Sequence, residues 1–430
     1  MFSQHLEIVQ QHTDNALAAS GHDGVLIYAN HPHNYFLDDM PWPYRPNPHF
    51  AWWVPEAANY PRSFLHYQPG RQPVLYLYQP RDYWHSVPTA PQGEWASLFD
   101  IRPFADHSEL PDFSLLKNHA YIGQPEVSPL DANQTNPEAV LNPLHWGRSY
   151  KTGYEVEQIL AANKRALKGH QAARDAFYAG KSECETHLDY LRATAHTEAE
   201  LPYGNIIAQN ANGAILHYQQ LLREPFPEFA RYSFLIDAGA CQHGYAADIT
   251  RTYAWNESPF DDMIQALDTA QQQLVNQAVA GQSYIALHEE AHVHIGDILH
   301  DFEVIKVPGQ EAAEMGLTQV FFPHGLGHFL GLQVHDVGGK QADPHGTPIP
   351  QPEKHPYLRL LRTLEAGHVL TIEPGIYFIP LLLDAARDNA LGKHIHWNTV
   401  EHFLPYGGIR IEDNVRVGTH EAYNLTRSVA

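Results

Sequence analysis

Two sets of residues in this chain have the types and spacing of a hydrolytic metal site. The compact set is His288-Glu289-Glu290-Ala291-His292, within LHEEAHVHIGDILH. Histidines four apart share one face of a helix and can hold zinc while the glutamate between them activates water. The dispersed set consists of acids among strand-forming residues. Asp237 follows Phe234-Leu235-Ile236, Asp248 opens DITRTY, Glu373 follows Val369-Leu370-Thr371-Ile372, and Glu412 ends Gly-Ile-Arg-Ile-Glu. A carboxylate buried among apolar side chains is costly unless it is paired or holds a cation. The plain alternative is four unrelated strand-end or turn carboxylates. Four in one region with few nearby Lys or Arg look more like a cation site.

Histidine completes the dispersed set. FFPHGLGHFLGLQVHD places His324, His328 and His335 in a Gly-rich segment, where the backbone can bend close to a site. His328 with the four acids makes five oxygen-dominated ligands. That is too many for one tetrahedral zinc but suits two divalent ions sharing carboxylates, with four negative charges balancing two dications. The same stretch is one residue off a dinucleotide fingerprint, yet histidines stand where a phosphate would sit, and that reading is set aside.

The compact motif is the weaker one. With thirty histidines in the chain, such a match arises by chance in roughly one chain in ten. The extended zinc-protease pattern wants a glycine and then a histidine where this chain has Ile295 and Ile298. Glu311 and Glu314 remain open by spacing as a third ligand. Leu287, Ala291, Ile295, Ile298 and Phe302 form a core-facing stripe, with His288 and His292 beside it towards the polar border. A packing helix is expected.

The elements that must carry the dispersed set can be read from periodicity. Residues 1–150 alternate short strand-like runs (24–29, 73–79, 120–123) with possible helices, and the Pro- and aromatic-rich 38–55 reads as an ordered loop. A long helix pattern runs from Tyr154 to Gly180. Strand patterns follow at 215–219, 232–239 and 247–255, then helix over about 260–303, then strands at 368–379 and 407–417. Helices then strands, twice over, suggest two similar halves around an antiparallel sheet.

Bulk properties narrow the function classes. A net charge of −22 argues against nucleic acid or an anionic membrane surface as partner. Two cysteines, Cys184 and Cys241, exclude a disulfide framework and a thiolate-rich zinc cluster. No apolar run reaches membrane-spanning length and the first residues lack a signal-peptide pattern, so a cytoplasmic protein is expected.

DAGACQHGYAADITRT, HGLGHFLGLQVHD, TIEPGIYF and GGIRIEDN resemble, in order, the metal-binding blocks of the pita-bread-fold metallopeptidases. With LHY at 216–218, FLDDM at 36–40 and YLRLLRTLEAGHVLTIEPGIYFIP, the whole chain is similar to bacterial Xaa-Pro dipeptidases (prolidases), a group that includes the organophosphorus acid anhydrolases. The resemblance implies an α+β protein. An N-terminal α/β domain, 1–150, would gate substrate and make dimer contacts. A C-terminal pita-bread catalytic domain, 151–430, would be a pseudo-twofold antiparallel sheet flanked by helices.

It further implies that Asp237, Asp248, His328, Glu373 and Glu412 bind two divalent ions, typically Mn2+, with Asp248 and Glu412 bridging. A water or hydroxide between the ions would be the nucleophile and Glu373 its proton acceptor. His324 would assist the tetrahedral intermediate or shuttle a proton. His217 and His335 would face the substrate, Tyr203 would line the pocket, and Arg359 and Arg410 would lie near the substrate, where an arginine suits a dipeptide's carboxylate. Asp39, or its neighbour Asp38, would meet the free amino group, contributed across a homodimer. One departure is Phe329, where related sequences often have a second histidine after the ligand. The implied reaction is hydrolysis of Xaa-Pro dipeptides, with a side activity on organophosphate triesters. The competing readings are a phosphotriesterase as the main activity, a metal-free pita-bread hydrolase and a metal-free binding module.

Overall fold

GVLIY, residues Gly24–Tyr28, is buried at every position and lies inside a five-stranded sheet. All 430 residues are described by the computed structural model, which folds as two units. Met1–Gln158, His243–Tyr245 and Gln341–Thr347 form the first; Ile159–Gln242, Ala246–Lys340 and Pro348–Ala430 form the second.

In the first unit the strands lie in the order Asp100–Phe104, Val74–Tyr78, Phe64–Tyr67, Gly24–Tyr28, His119–Ile122. The outer pairings are parallel and the two central ones antiparallel. The sequence reading of 38–55 as loop throughout is corrected by a helix at Pro48–Trp53. Asn47 caps it by accepting from His49 N, and Pro48 takes the first turn, where its missing N–H costs nothing. Its buried face is Phe50, Trp52 and Trp53.

The second unit repeats one pattern. Helices Gly153–Tyr178, from Ile159 onwards, and Glu183–Thr194 precede a three-stranded antiparallel sheet of Thr250–Ala254, Ser233–Asp237 and Ile206–Gln209. Helices Pro259–Gln277 and Tyr284–Asp301 precede another of Val369–Ile372, Asp413–Val417 and Ala422–Asn424. Phe260, Met263, Leu267, Leu274, Leu287, Ala291 and Ile295 pack against Leu370, Ile372, Ile376 and Val415 in one core. Each of these side chains larger than alanine contributes on the order of 2 kcal/mol when fully buried. The strand expected at 215–219 is absent. Tyr218 N closes a turn on Ile215 O, and the Tyr218 hydroxyl donates to the buried Glu183, a local satisfaction that competes with a ladder.

The strand patterns at 368–379 and 407–417 are each broken. Val369–Ile372 pairs with Asp413–Val417, and Gly375–Tyr377 pairs with Gly408–Arg410. Ile372↔Asp413 and Gly375↔Arg410 share one register, so Glu373 and Glu412 face each other across the interruption. The break at Glu373-Pro374 fits a proline that cannot donate to a ladder. No helix is long and apolar enough to cross a membrane.

Candidate metal centre

Asp237 ends its strand opposite Thr250, and Asp248 lies two residues before Thr250 on the partner strand. Thr250 also bridges to Glu412, whose N–H donates to Thr250 O at 3.1 Å. This contact joins the two halves of the second unit at the acids. His328 enters from the Gly-rich loop. Its N–H donates to Thr371 Oγ1 at 3.1 Å, and its carbonyl accepts from Thr371 N at 2.9 Å. Gly327, at φ +156°, makes this approach possible, because a Cβ there would strike Thr371 O and the Tyr284 hydroxyl.

The five side chains converge. His328 Nε2 lies 3.4 Å from Asp248 Oδ2 and 3.5 Å from Glu373 Oε1. Ligand atoms of Asp248, His328 and Glu412 all lie within 4.8 Å of one another. Asp237 accepts from Tyr203 OH at 2.8 Å and from Arg410 Nη2 at 2.6 Å. His328 Nδ1 lies 2.9 Å from Phe329 O, which places the proton on Nδ1 and leaves the Nε2 lone pair towards the acids. Phe329 itself is buried, with its ring against His368.

Crowding of buried carboxylates shows in their proton affinities. Burial pushes Glu373 up to about 7. Burial, then the charge of Asp248, pushes Glu412 well above the carboxylate range. Burial also raises Asp237, against the pull of Arg410. For Asp248, burial is outweighed by His328, which holds it below its ordinary value. Burial opposes the charged form of His328 as well, yet Asp248 and Glu373 hold it above its ordinary value.

The donor set fits two divalent cations. Where this fold buries a carboxylate for structure, it surrounds it with donors. Glu183 accepts from Gln209 N, Asn212 Nδ2, Tyr218 OH and Leu222 N at 2.6–2.8 Å. Asp413 pairs with both Arg251 and Arg427, which hold it down at about 2 against the effect of burial. Glu412, by contrast, accepts from Thr250 Oγ1 at 2.7 Å, and Glu373 from Thr371 Oγ1 at a long 3.3 Å. Two buried carboxylates with so few donors, beside Asp237, Asp248 and an oriented imidazole, are what a hard cation pair requires.

Around the acids, each side-chain nitrogen of Arg410 is engaged. Its Nη2, Nη1 and Nε donate to Asp237, to Tyr377 OH at 2.7 Å and to Thr250 Oγ1 at 3.1 Å. Because arginine only donates, the Tyr377 oxygen accepts and its own proton points to His324 Nε2, 2.8 Å away. His324 therefore carries its proton on Nδ1, which donates to Gly325 O at 2.8 Å and lies 3.9 Å from Glu373 Oε2. Burial, then Arg410, pushes His324 down to about 3, so the ring is neutral.

His335 packs edge-on to His328, with ring centres 4.4 Å apart, and is itself exposed. His217 and Arg359 are exposed. Asp38 and Asp39 lie on an exposed loop of the first unit, where Asp38 Oδ1 accepts from Met40 N. Sequence reasoning missed Thr250, Thr371 and Tyr377. Thr250 is two residues from Asp248, Thr371 two from Glu373, and Tyr377 four from Glu373, so the two-residue strand period could have found them. The helical pair His288 and His292 is buried rather than at a polar border, while Glu289 is exposed.

Residues 1–146 match the family described as Xaa-Pro dipeptidase, N-terminal domain, and residues 157–419 match Metallopeptidase family M24. The chain is 46% identical to an Xaa-Pro dipeptidase of Aeromonas hydrophila subsp. hydrophila, over 99% of this chain and 98% of that one. It is 45% identical to the Xaa-Pro dipeptidase of Shewanella denitrificans, over 99% and 97%. Among solved structures it is similar in fold to zinc-substituted E. coli aminopeptidase P in complex with product. That likeness has a TM-score of 0.73 at 22% identity and covers 99% of this chain and 96% of the other.

Proposed function

The chain belongs to metallopeptidase family M24, and from that premise we propose that it hydrolyses the peptide bond of Xaa-Pro dipeptides at two divalent metal ions. Asp237, Asp248, His328, Glu373 and Glu412 would hold the pair. The observation that carries the proposal is the convergence of four carboxylates and one oriented imidazole, with Glu373 and Glu412 accepting one protein hydrogen bond each. The oxygen-rich set favours Mn2+. A metal pair held there would supply Lewis acidity for the scissile carbonyl and for the attacking water.

The chain's own residues do the rest. Glu373 would accept the proton of the attacking water. His324, neutral, gives its one N–H to Gly325 O and accepts from Tyr377, which fixes the ring 3.9 Å from Glu373. Arg410 orients Asp237 and, through Tyr377, His324. Arg359, which is exposed, is then the arginine left for the substrate's carboxylate. His217, His335 and Tyr203 line the substrate side. Asp39, or Asp38, would meet the free amino group across a homodimer. Phe36 and Leu37, each 91% exposed beside those acids, give a second copy an apolar surface to cover. The first unit would thus gate substrate in a cytoplasmic enzyme. A side activity on phosphotriesters belongs to the same proposal, since the same nucleophile can attack phosphorus.

The test is metal analysis of the purified protein together with turnover of an Xaa-Pro dipeptide, before and after chelation and in Asp248→Asn. Two metals per chain, with turnover lost on chelation, restored by Mn2+ and at least about 1000-fold lower in the variant, is the expected result. Undiminished turnover by metal-free protein would overturn the proposal. Rates on a phosphotriester, measured in parallel, test the side activity.

A further inference from the structure

Helix Tyr284–Asp301 carries a cluster that the acidic centre does not use. His288 and His292, one turn apart, meet His355 from a loop of the same unit. The three are 1%, 4% and 9% exposed, and one ring nitrogen of each lies within 4.8 Å of the others. His288 Nε2 is 3.1 Å from His355 Nδ1. The His288 and His292 rings meet edge to face at 4.7 Å, and His292 and His355 stack at 5.2 Å. His288 Nδ1 is buried without a hydrogen-bond partner. As packing, this is poor: three polar rings occupy space that leucines would fill without desolvation cost.

We propose that His288, His292 and His355 form a separate mononuclear site for a borderline transition-metal dication such as zinc. Two nitrogens bound to one tetrahedral zinc stand about 3.3 Å apart, close to the separation of His288 Nε2 and His355 Nδ1. All the donors are imidazole, which suits zinc, copper or nickel, whereas the acidic centre's oxygens suit manganese. The two sites therefore sort metals by donor chemistry. His292 Nδ1 is engaged by Thr318 Oγ1 at 2.9 Å, which fixes the ring and leaves Nε2 as its ligand atom. Burial, with the neighbouring imidazoles, keeps His288 and His292 neutral, the form that binds a metal.

A cavity of about 320 Å³ lined by the three histidines, Phe322, His324 and Tyr357 gives an entry path and room for water at a fourth position. Glu289 is exposed while both helical histidines are buried. The cluster thus lacks the glutamate geometry of a zinc protease, and the ion would be structural or regulatory.

The experiment uses the full chain carrying Asp248→Asn and His328→Ala, so that the acidic centre cannot report. Cobalt(II) titration followed by visible absorption should give one ion per chain with the intense bands of four-coordinate cobalt. Zinc should compete it off and raise the melting temperature. Adding His355→Ala, or His292→Ala, should weaken cobalt binding at least about tenfold and remove the thermal shift. His355 lies on a loop, so its variant decides the matter if His292→Ala fails to fold. Absence of the cobalt bands, or bands unchanged by His355→Ala in protein with unaltered circular dichroism, would overturn the proposal. Because the acidic centre is disabled throughout, neither result bears on dipeptide hydrolysis.

Discussion

Arg410 can only donate hydrogen bonds, and that property propagates to residues that are not among the proposed ligands. Its bond to Tyr377 turns the tyrosine proton towards His324 Nε2 and so fixes which nitrogen of His324 is protonated. Tyr377→Phe removes the link without touching a ligand. We expect kcat to fall about tenfold or more with two metals still bound and KM little changed, a split that metal analysis beside steady-state kinetics would reveal. A fall in metal content instead would mean that Tyr377 supports Asp237 through Arg410. The convergence of Asp237, Asp248, Glu373 and Glu412 was legible because each acid interrupts an apolar run, and that of His328 because it lies in a Gly-rich segment. Thr250 and Thr371 were not, since threonine is ordinary in strands and only the fold shows which carboxylates they face. Nor could the sequence show that Arg410 is spent on Asp237, which leaves Arg359 free.

Among the elements, the loop bearing His328 and the helix Gly153–Tyr178 each hold one position that tests the placement of the site. Gly327→Ala must push His328 away from Thr371, so metal occupancy should drop while far-UV circular dichroism is kept, and excess Mn2+ should restore part of the turnover. His170, on the helix, is fully buried 2.9 Å from Ala238 O, next to Asp237, and burial pushes it down to about 4. A folded-state pKa below the unfolded value of 6.5 means that the unfolded chain binds the extra proton. The contribution is thus fully present above pH 6.5 and is lost as pH falls towards about 4, on the order of 3 kcal/mol. Chemical denaturation between pH 7 and 4 should show a shallower loss in His170→Gln than in the wild type; parallel curves would refute the assignment. The helix itself was readable from its apolar period. The helix at 48–53 was hidden because its prolines and tryptophans read as loop until Pro48 is placed in a first turn.

For the whole molecule, the repeated helix–helix–sheet pattern was visible as an order of elements, though no residue repeat announced it. The exposed Phe36-Leu37 loop tests the proposed homodimer. Phe36→Glu with Leu37→Glu should shift sedimentation from dimer to monomer and raise KM for the dipeptide, with metal content unchanged. Since each copy carries a net charge of −22, dimerisation should strengthen from low to physiological salt as repulsion is screened. A monomer under every condition would remove the dimer from the proposal, and a dimer indifferent to both changes would remove this loop from its interface.

The shared register of Ile372↔Asp413 and Gly375↔Arg410 sets a rule for how this chain tolerates changes in length. Residues 378–407, which carry helices Pro380–Arg387 and Trp397–Phe403, form the connection beyond the ribbon's closed end. They can gain or lose residues without altering which glutamate meets which. One residue inserted between 369 and 377, or between 408 and 417, would slide one side of the ribbon past the other and send a glutamate to the opposite face. Natural variation in length should therefore gather in the connection and be shut out of the two short arms.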